Sequence, residues 1–232
     1  MSVGIATGRS AAWELRYEVP RTDHTVIVSS PEARPDLWDA YLAGVVEVYG
    51  SYGVVPALEL DRDLTSLVFV AFDRDGRARG GIRSQGPYDH PSQAQALAVW
   101  ENDARVRRLV RERLADGLVE TKGLWVERDF PGRRELVHTF GRTPVHASTI
   151  LGARYGLGTT AAHTEALWMS SGAVLRYDVP PVPYPDERYR THLMFWDRWH
   201  LPASVTDADR RALDLETAQL MGVEVPAPRS GR

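Results

Sequence analysis

The stretch LVETKGLWVERDFPGRRELVHTFGR, from Leu118 to Arg142, decides the fold that this sequence predicts. Its first part alternates bulky apolar residues with polar ones and ends in LWV, a pattern typical of a strand buried on at least one face. Pro131 and Gly132 then break a short charged loop, and helical spacing begins again at Glu135. A strand, a basic glycine-containing turn and a helix start present N–H groups and arginines to an anion such as a diphosphate. The spacing is neither that of a nucleoside-triphosphate loop nor GxGxxG, so the same elements without a ligand are the alternative.

Length and composition bound the class of protein. With 232 residues, 43% of them hydrophobic, the chain can build a full core in one domain. A formal net charge of -3 gives no reason to expect a nucleic acid or an anionic membrane as partner. The absence of cysteine excludes disulfides, thiolate nucleophiles and zinc–cysteine sites. No apolar run approaches a membrane span and no secretory leader is evident, so we expect a cytoplasmic protein.

The order of predicted elements indicates an α/β (α+β) fold. Two early strands, a helix, a hairpin, a long helix over 93–116 and further strands and helices add up to a mixed sheet with helices around it. We expect an N-terminal extension over 1–24, the main domain over 25–200, and a C-terminal helix with a flexible tail over 201–232.

This order and three local patterns resemble the GNAT superfamily of acyl-CoA-dependent N-acyltransferases. FVAFDRDGRARGGIR (69–83) resembles its central hairpin, and GLWVERDFPGRREL (123–136) resembles its fourth strand and pyrophosphate loop. TEALWMSSGAV (164–174) resembles the end of its cofactor-binding half, with Gly172 at the motif glycine. The resemblance implies a single mixed central sheet with splayed strands, flanked by helices.

Within the superfamily, GGIR (80–83) and VETKGLWV (119–126) resemble strands of acyl-homoserine-lactone synthases and related N-acyl amino acid synthases. Those enzymes join an acyl group from CoA or a carrier protein to the amine of an amino-acid-like substrate. The resemblance implies acyl-CoA or acetyl-CoA as the acyl donor, an acyl carrier protein as the alternative donor, and a small-molecule amine, with amino acids among the candidates, as acceptor. No metal is implied.

Three departures from the family pattern concern the site. The loop from Arg128 to Gly132 is one residue off the superfamily's phosphate-binding spacing. The tyrosine that often acts as general acid is Trp168 here, and an indole is a poor acid. The arginine that follows the glutamate in the lactone synthases is missing, although Lys122, the chain's single lysine, lies nearby. A homoserine-lactone product is therefore not expected.

The donor site predicted from these patterns lies where the strands splay. An exposed backbone N–H at Trp125 or Val126 would polarise the thioester carbonyl. The residues expected to bind the diphosphate are Arg128, Gly132, Arg133 and Arg134.

Glu120 is the first candidate for the base that deprotonates the amine, directly or through water, and its alternative is an ion pair with Lys122 or Arg83. His163 is the second candidate, because it follows a strand and precedes a helix cap. Arg83 would bind a substrate carboxylate in bidentate fashion, or pair with Glu120. Residues expected to contact the acceptor are Arg83, Tyr88 and Trp168.

The leading hypothesis is an N-acyltransferase that uses an acyl thioester and a small amine. The alternatives are an acetyl-CoA-dependent acetyltransferase acting on an amine metabolite, and a GNAT-like module that binds acyl-CoA without catalysis.

Overall fold

One sheet of eight strands organises the part of the chain that the computed structural model describes, residues 13–54 and 62–223. Its order is β1-β2-β3-β4-β5-β6-β8-β7, and every neighbouring pair is antiparallel except β5 and β6. The strands are β1 (Leu15–Glu18), β2 (Thr25–Ser29), β3 (Thr65–Phe72), β4 (Ala78–Gln85), β5 (Leu118–Val126), β6 (Tyr155–Ala161), β7 (Val174–Leu175) and β8 (Thr191–Asp197). The predicted mixed α/β sheet is confirmed.

Helices cover both faces of this sheet. Within the described residues they are α1 (Pro35–Ser51), α2 (Ala96–Val99), α3 (Ala104–Leu114), α4 (Arg133–Gly141), α5 (Thr143–Ile150), α6 (Glu165–Ser170) and α7 (Asp207–Met221). On one face, α1 packs over β3, β4 and β5, and α2 and α3 pack beside it over β5, β6 and β8. The opposite face carries α4, α5, α6 and α7 and the largest hydrophobic cluster.

The first strand and the last helix of the described residues belong to the same core. β1 lies within the stretch predicted as an extension, and it pairs with β2 at the sheet edge. Helix α7 packs on β1 and α5. The predicted flexible tail after residue 223 lies outside the described residues. None of the helices in residues 13–54 and 62–223 is long and apolar enough to cross a membrane.

The single long helix predicted over 93–116 is wrong. The backbone turns at Glu101 and Asn102, which both have positive φ, and α3 begins only after Asp103. The Asp103 carboxylate accepts hydrogen bonds from the N–H groups of Arg105 and Val106 and thus caps α3. The periodicity continued through this break because residues on both sides of it face the same core.

The C-terminal helix is fixed by a buried ion cluster. Glu216 of α7 is 1% exposed and accepts hydrogen bonds from the Arg142 guanidinium, with Nε at 2.7 Å, and contacts His146 Nε2 at 2.9 Å. Burial pushes the pKa of Glu216 up, but the hydrogen bonds from Arg142 and His146 outweigh burial, so the pKa lies below its ordinary value. The anionic carboxylate therefore ties α7 to the junction of α4 and α5.

Replacing Glu216→Gln should lower the free energy of unfolding by about 3 to 5 kcal/mol, because it leaves Arg142 buried without its counter-charge. The native pKa of Glu216 is depressed, so this stabilisation is present above the unfolded-state pKa and is lost as the pH falls through the native pKa. Urea unfolding at neutral and acidic pH measures both effects. Asp214→Asn, on the exposed side of α7, is the control, and equal unfolding midpoints for the two variants would contradict the assignment.

Candidate active site

The parallel strands β5 and β6 pair at one end only. Leu118, Val119 and Glu120 pair with the first three residues of β6, and the last of these pairs is Glu120 with Leu157. Beyond it, residues 121, 122, 125 and 126 of β5 stay paired with β4, and residues 158–161 of β6 stay paired with β8. The two strands therefore separate into a gap that begins at Glu120. This is the splayed sheet that the resemblance predicts.

A β-bulge in β5 shapes this gap. The register passes from Lys122 opposite Arg83 to Trp125 opposite Gly81, so β5 carries one extra residue, and Gly123 has φ of 67°. Two α1 side chains hold the bulge: Tyr41 Oη donates to the Gly123 carbonyl at 3.0 Å, and Tyr49 Oη donates to the Leu124 carbonyl at 3.1 Å.

The end of β5 turns one backbone N–H toward the gap. The Glu127 N–H donates to the Arg79 carbonyl of β4 at 2.8 Å. Since alternate residues of a strand point their N–H groups in opposite directions, the Trp125 N–H also faces β4 and the Val126 N–H faces away from it. The Trp125 ring packs beneath α1, where a Cβ on Gly44 would lie 2.1 Å from it. Of the two predicted donors, Val126 thus faces the gap and Trp125 belongs to the core and the β4 pairing.

Glu120 lies at the vertex of the gap and is 3% exposed. Its carboxylate accepts hydrogen bonds from Tyr88 Oη at 2.8 Å, Lys122 Nζ at 2.9 Å, and the Gln95 and Ala96 N–H groups at 2.9 Å. Burial raises the pKa of Glu120, but the charge and hydrogen bond of Lys122, with the other donors, outweigh it, and the net pKa is lowered. Of the two roles predicted, the ion pair with Lys122 is present.

Lys122 uses all three of its ammonium protons. Nζ donates to Gln85 Oε1 at 2.9 Å, Gln95 Oε1 at 2.8 Å and Glu120 Oε2 at 2.9 Å. Burial lowers the pKa of Lys122 and the Glu120 charge opposes this shift without cancelling it. The ammonium therefore fixes the side chains of three neighbouring residues.

Arg83, on β4, lies opposite Lys122 on the sheet face that carries Glu120, and it is 2% exposed. No carboxylate of the described residues lies within ion-pair distance of it. Its Nη1 donates to Thr65 Oγ1 at 3.0 Å, and its Nε has no hydrogen-bond partner among those residues. The predicted alternative of an Arg83–Glu120 pair is absent from this geometry. A buried cation without a counter-ion among the described residues is costly to fold.

Four tyrosines experience the positive charge of Arg83. Burial raises the pKa of each of these phenols, to about 12 for Tyr49, while the positive charge of Arg83 opposes the increase. They come from α1, from the loop after β4 and from the proline-rich segment before β8: Tyr41, Tyr49, Tyr88 and Tyr184. Tyr184 is 47% exposed, so this tyrosine reaches solvent.

The predicted diphosphate loop joins β5 to α4. Gly132, with φ of 87°, immediately precedes the first turn of α4. The Arg133 N–H of this turn donates to the Phe130 carbonyl at 3.3 Å, and the Arg134 and Glu135 N–H groups make no backbone hydrogen bond among the described residues. The exposed Arg128 stacks on Tyr52 with its guanidinium 4.1 Å from the ring centroid, and Arg133 Nε donates to the Glu127 carbonyl at 3.2 Å. Arg134 instead lines a polar cleft of about 320 Å³ between α4 and α7. Arg128 and Arg133 thus lie exposed in the loop after β5 and at the start of α4, Gly132 lies against Thr22 and His24, and Arg134 faces a separate cleft.

Two other predicted residues lie apart from the Arg83–Glu120–Lys122 group. His163 is exposed in a short 3-10 turn after β6, with its ring 6.2 Å from that of Tyr189. Trp168 is 8% exposed and packs edge-on against Trp196 in the core, at 5.8 Å between centroids. No group of three or more His, Asp or Glu side chains within the described residues is placed to hold a metal ion.

Sequence reasoning missed Gln85 and Gln95, which hold Lys122. Alternation along VETK places Glu120 and Lys122 on one face of a strand, so the sequence alone was enough to predict that these two side chains lie side by side. The long-range register between β4 and β5 that brings Gln85 opposite Glu120 had no local signal.

No protein-family model matches the chain. It is 35% identical over 180 residues to the uncharacterized protein Rv1356c of Mycobacterium tuberculosis, an alignment that covers 75% of this chain and 68% of that protein. The uncharacterized protein Mb1391c of Mycobacterium bovis gives the same figures.

Solved structures share the fold at low identity. FeeM, an N-acyl amino acid synthase from uncultured soil microbes, has a TM-score of 0.56 at 13% identity, over 81% of this chain and 98% of that one. The AHL synthase LasI has a TM-score of 0.57 at 13% identity, over 90% and 100%. The CoA-dependent acyl-homoserine lactone synthase MesI has a TM-score of 0.52 at 13% identity, over 88% and 98%.

Replacing Arg83→Met should leave the stability of the protein unchanged or raise it by about 1 to 3 kcal/mol, because the change removes a buried cation that has no counter-ion. Arg142→Met, at an equally buried arginine that pairs with Glu216, should lower stability by about 3 kcal/mol or more. Urea unfolding of both variants tests the contrast. A large loss of stability in Arg83→Met would show that Arg83 has a structural partner.

Proposed function

Because the chain belongs to the same protein family as Rv1356c of Mycobacterium tuberculosis and has the GNAT fold, we propose that it is an N-acyltransferase. Its acyl donor is an acyl thioester, either acyl-CoA or an acyl carrier protein, and its acceptor is the amine of a small molecule. The observation that carries this proposal is the gap between β5 and β6, with the Val126 N–H directed into it.

Acyl transfer to an amine requires three contributions from the protein: stabilisation of the oxyanion, positioning of the two reactants and removal of a proton from the amine. The amine nitrogen attacks the thioester carbonyl, the C–N bond forms, the C–S bond breaks, and the thiolate leaves. The Val126 N–H would stabilise the oxyanion of the intermediate, a contribution of about 3 kcal/mol for one such donor. The gap holds donor and acceptor together, which replaces a bimolecular encounter by a positioned one. The amine must also lose a proton before or during attack.

Glu120 is our proposed proton acceptor, acting through water. Its Oε2 accepts three hydrogen bonds and its Oε1 accepts one, from the Ala96 N–H, which leaves an acceptor position on Oε1. The lowered pKa keeps the carboxylate ionised at neutral pH. His163 is the second candidate, since the turn that carries it follows the β6 end of the gap.

The loop before α4 suits the diphosphate of CoA. Arg128 and Arg133 are exposed beside the helix start, where the Arg134 and Glu135 N–H groups lack backbone partners among the described residues. When the donor is acyl-CoA, these groups would hold the nucleotide end and leave the acyl end in the gap. When the donor is a carrier protein, only its phosphopantetheine phosphate would lie there.

A panel of acyl-CoA thioesters, from acetyl to long-chain, incubated with mixed amines tests the proposal through release of free thiol. Turnover with long acyl chains supports the leading function, and turnover with acetyl-CoA alone supports the acetyltransferase alternative. Thermal stabilisation by acyl-CoA without any turnover would contradict the enzyme proposal and support a module that binds acyl-CoA without catalysis.

Replacing Glu120→Gln should lower kcat and also lower stability by about 3 kcal/mol or more, because Lys122 loses its buried counter-charge. His163→Asn changes an exposed residue and should leave the unfolding midpoint in place. Comparison of the pH–rate profiles of the two variants, each at a temperature where it is folded, identifies the base. Full turnover by folded Glu120→Gln would exclude Glu120.

The double variant Arg128→Gln, Arg133→Gln should raise the KM for acyl-CoA about tenfold with little change in kcat, because the arginines contact the nucleotide end and not the reacting atoms. The same variant should show no change in KM for an acyl-pantetheine donor, which lacks the diphosphate. The control is Arg107→Gln, Arg111→Gln on α3. Equal effects on both donors would place the diphosphate elsewhere.

A further inference from the structure

Two buried donors on β4 have nothing to bind. Arg83 and Gln85 are 2% and 1% exposed, and Arg83 Nε and Gln85 Nε2 have no hydrogen-bond partner within the part of the chain that the structure describes. The two residues are separated by one position, so their side chains share the face of the sheet on which Glu120 and Lys122 also lie. A buried unsatisfied donor costs about 1 to 3 kcal/mol, and two on one face are expected where a ligand supplies the missing acceptors.

The direction of the Gln85 amide is not free. Lys122 Nζ donates to Gln85 Oε1 at 2.9 Å. Tyr88 Oη lies 3.2 Å from the same oxygen, but its single proton is directed to the nearer Glu120 Oε2 at 2.8 Å. An ammonium has no acceptor, so the amide oxygen must face Lys122 and the NH₂ group must face the other way. Lys122 is itself held by Glu120 and Gln95. The chain's single lysine thus makes Gln85 a donor toward the space beside Arg83.

The charges of the cluster call for one negative charge. Arg83 and Lys122 contribute two positive charges and Glu120 contributes one negative charge, so one positive charge among these three residues is uncompensated. A carboxylate brings one negative charge and two acceptor oxygens, which suits a guanidinium N–H and an amide N–H together.

We propose that Arg83 Nε and Gln85 Nε2 form a two-donor carboxylate site, that Lys122 is the positioning residue that sets the donor direction of Gln85, and that the ligand is the carboxylate of an amino-acid acceptor. The identification of the ligand as the acyl acceptor rests on the proposed N-acyltransferase function, and the carboxylate site itself does not. β4 is the direct neighbour of β5, so a carboxylate held here keeps its amine beside the gap where the thioester would lie. Gln85 is then a specificity-determining residue, because it distinguishes a carboxylate from an amide or an unsubstituted amine.

Binding to the full chain without an acyl donor tests this. Isothermal titration with phenylalanine, leucine, their amides and their decarboxylated amines should show the free acids binding about tenfold or more tightly than the other two classes. Gln85→Glu replaces the donor by a negative acceptor and should reverse this order. Lys122→Met frees the amide to rotate and should reduce the preference for the acid over the amide, in protein shown to be folded by circular dichroism.

Gln93→Glu is the matched control, since Gln93 is exposed and its amide oxygen caps the neighbouring turn at Asp89 and His90. Its preference for the acid should equal that of the wild type. Equal binding of acids and amides by the wild type, or an unchanged preference in Gln85→Glu, would overturn the proposal.

The two proposals fail separately. If free acids bind with the expected preference but no thioester is turned over, the carboxylate site stands and the acyltransferase function falls. If thioesters are turned over with amines that lack a carboxylate as well as with amino acids, the acyltransferase function stands and the carboxylate site falls.

Discussion

The carboxylate of Glu120 is the interaction on which the site depends. It lies at the last paired position of β5 and β6, so the strands part at the residue that gathers the surrounding donors. Its hydrogen bonds reach the loop after β4, the start of α2 and Lys122 on its own strand. Where a sheet opens, polar backbone groups lose their partners. The buried Glu120 carboxylate, held by four donors, makes the structure rigid at the point where β5 and β6 separate.

Close packing on the α1 face keeps the gap in shape. A Cβ on Gly81 would lie 2.9 Å from Trp125 Nε1, and one on Gly44 would penetrate the Trp125 ring, so α1 and β4 both approach this indole through glycine. That closeness lets Tyr41 and Tyr49 reach the bulge carbonyls of β5. The α1 helix therefore supports the bulge in β5, and the bulge precedes the predicted diphosphate loop that joins β5 to α4.

Two buried arginines show how the same residue type serves stability and binding. Arg142 has Glu216 as a full counter-charge and fixes α7 to the junction of α4 and α5. Arg83 has a threonine hydroxyl and no carboxylate within ion-pair distance among the described residues. The cost of burying Arg83 is therefore not offset by an ion pair within the described residues, and the proposed carboxylate ligand would supply the missing negative charge.

The sequence by itself determined the local elements. Alternation in LVETKGLWV predicted β5, Pro131 and Gly132 placed the loop before α4, and Thr206 with Asp209 marked the start of α7, all from neighbouring residues. The order of these elements, with the family resemblance, also gave the mixed sheet and its splayed strands.

Only the tertiary structure decided which polar groups meet. The single bulge at Gly123 sets the register between β4 and β5, and that register brings Gln85 opposite Glu120 and leaves Arg83 opposite Lys122. A shift of one residue would send each of these side chains to the other face of the sheet. Pairing between residues about 35 positions apart depends on this long-range register, which no local pattern contains. The Glu120–Lys122 pair lies within one strand and was among the predicted alternatives, whereas the contact of Gln85 with Lys122 and the open donors of Arg83 and Gln85 appeared only with the fold.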